Sequence, residues 1–138
     1  MAKICVNSNY KNLIVEKCYP CQVTTGQYKN NEVSSPEITI TKFQENYSIL
    51  NEQLVNVSGI VEGTGRTSSH EIKLFVPIPV AGKQDTVVPN VTVLNNVVED
   101  VRVILRDTIP PHAEIDIKTI SHVDEHVKIL YQFSYFTN

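Results

Sequence analysis

Tryptophan is absent from this chain of 138 residues, methionine occurs once, and aromatic residues make up only 7%. A chain so poor in flat rings has few of the stacking platforms on which single-strand binders and sugar binders seat their ligands. Basic charge is also short. Twelve Lys and Arg stand against fifteen Asp and Glu, for a net charge of −3 and a pI near 5.8. That balance excludes the basic face nucleic-acid binding requires, so no nucleic-acid partner is expected. No stretch reaches the roughly 18 apolar residues of a helical membrane span, so no membrane partner is expected either. The segment Met1-Ala2-Lys3-Ile4-Cys5-Val6-Asn7 has one Lys but no apolar core behind it. It does not read as a signal peptide, and synthesis in the cytoplasm without general secretory export is the expectation. The Asn-x-Ser/Thr triplets at Asn46, Asn56 and Asn90 are then chance matches in a sequence rich in those residues.

Apolar residues make up 41% and charged residues 20%, which is globular composition. The length suits one domain that can bury a core unaided by metal or disulfide. From Glu37 onward, apolar residues recur with period two. Ile38/Ile40, Val55/Val57/Gly59/Val61, Ile72/Leu74/Val76/Ile78, Val101/Val103/Leu105, Ile115/Ile117 and Val127/Ile129/Tyr131/Phe133/Tyr135 form the apolar sets. Alternation of this kind predicts antiparallel strands with one buried face. Turn signals fall at Gly63-Thr64-Gly65, Gly82-Lys83-Gln84-Asp85, Asn95-Asn96, Pro110-Pro111 and Asp124-Glu125. About eight strands at this spacing predict an all-β domain, an antiparallel β-sandwich or jelly roll, with a closed barrel as its rival. Val57, Val61, Leu74, Val76, Val103, Leu105, Ile117, Ile129 and Phe133 should point inward. Phe43, Tyr47, Leu50 and Leu54 also fit helical spacing, so residues 44–54 read either as a short helix or as strand. Val127 to Phe136 is apolar on both faces, which suits either a strand covered on both sides or an exposed patch at a subunit contact.

Residues 1–35 differ from residues 36–138. Asn residues crowd the first segment, a short Leu13-Ile14-Val15 run could form a first strand, and Ser34-Ser35-Pro36 closes it. It reads as an extended N-terminal arm plus a first strand, ahead of a β-sandwich domain. All three cysteines, Cys5, Cys18 and Cys21, lie in this segment. Cys18-Tyr19-Pro20-Cys21 has the spacing of redox and zinc motifs. A redox pair needs a helix N-terminus behind its first Cys, and Pro20 followed by Gln22-Val23-Thr24 reads as extended chain. A structural zinc site needs four ligands, and a second knuckle is missing. Two readings remain: reduced or buried thiols, or intermolecular cross-links favoured by an odd number of cysteines in a polar arm.

Other motifs carry less. Gly63-Thr64-Gly65-Arg66 is followed by a strand pattern and not by the helix a phosphate cradle needs, so it reads as a hairpin loop. His122 and His126 flank an acidic turn and would face each other across a hairpin. Glu99-Asp100 and Glu114/Asp116 read as solvent-face charges that discourage edge pairing. No metal, no cofactor and no catalytic constellation is expected.

Two stretches carry a family resemblance. Val57-Ser58-Gly59-Ile60-Val61-Glu62-Gly63, His70-Glu71-Ile72-Lys73-Leu74-Phe75-Val76-Pro77-Ile78 and Val98-Glu99-Asp100-Val101-Arg102-Val103-Ile104-Leu105 resemble the spore-coat-assembly domain of spore-forming bacteria over roughly residues 54–120. Ile78 stands where that domain has an aromatic residue, and its Tyr near Gly65 is missing. Cys5 with Leu13-Ile14-Val15-Glu16-Lys17-Cys18-Tyr19-Pro20-Cys21 is similar to the cysteine-bearing connector of endospore appendage subunits. That connector's doubled cysteine is the single Cys5 here, and its last-strand cysteine is absent. The resemblance implies a non-enzymatic subunit at the spore surface that assembles with copies of itself, and with other spore-surface proteins, into a fibre, appendage or coat. It implies Cys5, Cys18 and Cys21 as intermolecular disulfides. A viral or phage capsid, tail or decoration protein and a ligand-binding β module are the alternatives.

Overall fold

In the computed structural model, residues 22–65, 69–123 and 125–138 are described. The described residues form two antiparallel sheets around a common apolar core. The larger has strand order β1-β2-β3-β8-β5: β1 (Val23–Tyr28), β2 (Ile38–Leu50), β3 (Leu54–Gly65), β5 (Val88–Val93) and β8 (His126–Phe136). The smaller has order β4-β7-β6: β4 (Glu71–Pro77), β6 (Val98–Arg106) and β7 (His112–Thr119). The helical content among these residues is one 3₁₀ turn, Gln84–Thr86. Links β3→β4, β4→β5, β5→β6 and β7→β8 all pass from one sheet to the other, whereas β2→β3 and β6→β7 are hairpins within a sheet.

The alternation in the sequence explains which side chains face inward. Val57, Val61, Leu74, Val76, Val103, Ile117, Ile129 and Phe133 are all buried, and Leu105 packs against them partly buried. Residues 44–54 are strand and turn, with no helix. β2 runs to Leu50, and Asn51 and Glu52 take positive φ (51° and 59°) to turn into β3. Gln53 N–H closes the turn on the Leu50 carbonyl at 3.0 Å. Phe43 is buried and Tyr47 leans on the core, whereas Leu50 and Leu54 pair with each other at the end of the hairpin, so the helix-spaced set is divided between the two faces of the sheet.

Gly63-Thr64-Gly65 is not a turn. The strand β3 continues through all three residues, pairing with β2 on one side while Gly63 and Thr64 pair with β8 on the other. Gly63 is buried, and a Cβ there would lie 2.3 Å from the Thr39 carbonyl oxygen. The β2 register shifts between Ile40 and Lys42, beside Gly63. The glycine is needed because a neighbouring backbone comes too close, not because the chain bends.

The link between β7 and β8 is likewise no hairpin, since it joins different sheets. His122 lies against His70, with ring centroids 4.3 Å apart and the rings tilted by 52°, and His126 opens β8 opposite Thr64. The last strand lies between β3 and β5 with one face in the core. On its other face, Leu130 and Phe136 stay 41% and 48% exposed.

Candidate functional site

A two-sheet protein has four strand edges, and unpaired backbone groups there recruit other strands unless something occupies them. Three of the four are managed. On the β4 edge, Ser34 and Phe75 exchange backbone hydrogen bonds at 3.1 and 2.9 Å. Lys73 N–H donates to Glu37 Oε1 at 3.1 Å, and Glu71 N–H donates to Ser69 Oγ at 3.0 Å. On the β6 edge, the Gln84 side chain imitates a strand: its Nε2 donates to the Val103 carbonyl and its Oε1 accepts from Leu105 N–H, both at 2.7 Å. The β5 edge carries Pro89, which has no N–H to offer.

The fourth edge belongs to β1, Val-Thr-Thr-Gly-Gln-Tyr, with neither charge nor proline. Its register with β2 pairs Val23 with Leu50 and Tyr28 with Glu45. Asn51 N–H donates to the Gln22 carbonyl at 2.8 Å and Asn51 Oδ1 accepts from Gln22 N–H at 3.1 Å. Antiparallel alternation then turns the backbone groups of Val23, Thr25 and Gln27 away from β2. Among the described residues, β1 has no strand on that side. Cys5, Cys18 and Cys21 lie outside the described residues. In sequence, Cys21 stands two positions before Val23.

A buried acid sits behind this edge. Tyr28, Glu45, Gly59 and Tyr131 lie side by side across β1, β2, β3 and β8. A Cβ on Gly59 would fall 2.4 Å from Tyr131 ring atoms, so the glycine lets the Tyr131 ring lie across β3. Its hydroxyl donates to Glu45 Oε1, while Glu45 Oε2 is buried with no partner among the described residues. Burial raises the Glu45 pKa to about 8, outweighing the Tyr131 hydrogen bond, with the Glu32 charge adding to the rise. The carboxyl is thus mostly protonated at neutral pH. Burial, with Tyr47, Glu45 and Glu32 nearby, pushes Tyr28 up to about 12. Sequence reasoning missed this group; Glu45 interrupting the inward set after Phe43 was the available signal.

The outer face of the small sheet is charged. Glu114 and Asp116 do not guard an edge, since β7 is the middle strand. Arg106 Nη2 donates to Glu114 Oε1 at 3.3 Å, and Lys73 Nζ stands 3.9 Å from Glu114 Oε2. Burial would raise the Glu114 pKa, but hydrogen bonds from Asp116 and Arg106 and the charges of Lys73 and Arg106 hold it below the ordinary range. Burial and the Glu114 carboxylate raise Asp116. The charge on Glu114 is thus favoured by Arg106 and Lys73, and Asp116 is the harder of the two to ionise. Such cross-strand pairing fixes register between β4, β7 and β6.

The outer face of the large sheet is the opposite. One row runs Gln27, Asn46, Ser58, Gln132, Asn90 across all five strands, and the next runs Gln44, Ile60, Leu130, Thr92. Neither row contains a charge. Between them lies a trough of about 460 Å³. Charge returns only one row further along, where Lys42 and Lys128 flank Glu62 at 3.7 and 3.8 Å. No group of three or more His, Cys, Asp or Glu among the described residues is placed to hold a metal ion. No family model, curated protein or solved structure matches the chain.

Proposed function

We propose that this chain is a non-enzymatic structural subunit that assembles with copies of itself by strand addition at β1, with covalent links through its cysteines. The observation that carries this reading is the contrast between edges. Ser34, Glu37, Ser69 and Gln84 occupy the edges of the small sheet and Pro89 blunts β5, while β1 is uncharged and has no strand on its outer side among the described residues. Main-chain hydrogen bonds along such an edge supply affinity for an extended segment of another copy. The Leu13-Ile14-Val15 run in the proposed N-terminal arm is an apolar segment suited to be that strand.

The wrapping order agrees with a jelly roll. β3 pairs with β8 and β4 with β7, and β5 and β6 continue the two sheets in the same sense. The spore-surface setting rests on the resemblance in residues 54–120 and in the cysteine segment. Synthesis inside a mother cell followed by oxidation after release reconciles disulfides with a cytoplasmic origin.

Cys5, Cys18 and Cys21 are the candidate links. A tethered neighbour is held at an effective concentration on the order of millimolar even when its non-covalent contact opens, and a disulfide then makes the link permanent. Assembled protein, thiol-blocked and run on a denaturing gel, is expected to show multimers without reductant and monomer with it. Cys5→Ser should reduce the multimers more than Cys18→Ser or Cys21→Ser, because Cys5 lies farthest from the folded domain along the chain. A monomer band alone without reductant refutes the covalent link.

A further inference from the structure

We infer that the trough on the outer face of the large sheet binds a neutral oligosaccharide. Three observations converge on that ligand class. The first is charge. One residue in five of this chain is charged, yet every residue lining the trough is neutral. A surface without charge offers no gain to an anionic or cationic ligand, which would have to shed its hydration shell there.

The second is unspent hydrogen-bonding capacity. The side chains of Gln44, Asn46, Ser58, Asn90, Thr92 and Gln132 line the trough, and none hydrogen-bonds to another described residue. Four are amides, each both donor and acceptor. Sugar hydroxyls have the same dual character, so an amide can answer a hydroxyl in either sense and can span two vicinal ones. The amides belong to three strands held in fixed register, which spaces them along a line across the sheet.

The third is an apolar floor beside the polar row. Ile60 and Leu130 are direct cross-strand partners, 39% and 41% exposed. They offer the C–H face of a pyranose ring an apolar contact where many sugar sites use an aromatic platform. Aliphatic contact is weaker than stacking, so the expected dissociation constant is on the order of 1 mM. The trough volume of about 460 Å³ is within the range of small-ligand sites. It opens on the face of the sheet and not on the β1 edge, so assembly and sugar binding are independent.

Saturation-transfer NMR on the full chain tests this directly, since large assemblies only strengthen the effect. The probes are maltohexaose, cellohexaose and chitohexaose, with a heparin hexasaccharide as the charged control. Expected is transfer to the ring protons of at least one neutral probe and none to heparin. Gln132→Ala, at the centre of the amide row, should weaken that binding roughly five-fold, the worth of one hydrogen bond. Asn46→Ala should do the same. Both positions are exposed, so the fold tolerates the change. Transfer to none of the neutral probes, transfer equal to heparin, or binding unchanged in both variants overturns the inference. So does burial of the face against a second copy, seen as absent transfer with side-chain amide signals that shift on protein dilution.

Discussion

Raising the pH from about 5 to 9 is expected to cost this protein a large share of its stability, through Glu45. The folded state holds the Glu45 proton to a pKa of about 8, whereas an unfolded chain releases it near the ordinary value of roughly 4.3. Between those two values the folded state binds more protons than the unfolded one, so stability falls as pH rises and levels off above about 8. The full span corresponds to roughly 5 kcal/mol, against the 5–15 kcal/mol that a typical domain has in total. Asp116 and Glu37 are shifted upward as well and act with the same sign, while Glu114 is shifted downward and acts oppositely at acidic pH. Glu45→Gln separates the contributions, because an amide keeps the acceptor for the Tyr131 hydroxyl and cannot ionise. Urea unfolding across this pH range should show a steep decline for the natural chain and a much flatter one for Glu45→Gln, with the variant the more stable at pH 9. Parallel curves would contradict the burial of an ionisable group at this position.

The second large effect is expected at Gly63. A methyl group there meets the Thr39 carbonyl oxygen at 2.3 Å and Ile38 Cγ2 at 2.5 Å. Backbone cannot swing aside as a side chain can, and β3 is held on both flanks by β2 and β8. Gly63→Ala should therefore cost about 3 kcal/mol, the upper end of what overpacking does. Ser58→Ala, on the exposed face of the same strand, should stay within about 0.5 kcal/mol. Denaturant midpoints for the two variants check this. A Gly63→Ala protein as stable as the natural chain would mean that β2 and β3 do not approach as described.

The inward faces of the strands were legible because burial writes a period of two into the sequence. Val55 to Val61 and Val127 to Tyr135 show it, with Ile60 and Leu130 as apolar exceptions on the outer face, and their odd-numbered positions are the inward ones. Pairing was not legible in the same way. Nothing local says that β3 lies beside β8, separated by more than sixty residues in the chain, or that β7 is central and β6 an edge. Without the pairing, Glu114 and Asp116 read as edge guards and His122 as the partner of His126, whereas β7 is central and β7 and β8 belong to different sheets. Gly63-Thr64-Gly65 misled for a related reason. Glycine marks both turns and close backbone approaches, and only the neighbouring strand distinguishes them.

The Asn-x-Ser/Thr triplets teach the same lesson from the other side. Asn46-Tyr47-Ser48, Asn56-Val57-Ser58 and Asn90-Val91-Thr92 each place an amide and a hydroxyl on the outer face, with an apolar residue turned inward between them. They are strand alternation in a sheet with an uncharged outer surface. The sequence displayed the triplets, but their alignment into rows depends on the register among β2, β3, β8 and β5. The Glu45–Tyr131 contact depends on it as well, because Tyr131 reaches Glu45 only across Gly59.

Strand addition at β1 is tested most directly at Thr25. Thr25 lies mid-strand, and its N–H faces away from β2, so Thr25→Pro removes a donor from the outer side of β1 without removing a hydrogen bond to β2. The purified full chain and this variant should be compared by negative-stain electron microscopy and sedimentation, with circular dichroism to confirm that both are folded. Ordered assemblies from the natural chain and only small particles from a folded Thr25→Pro protein are the expected result. A natural chain that remains monomeric under oxidising conditions, or a folded Thr25→Pro protein that assembles equally well, would contradict it.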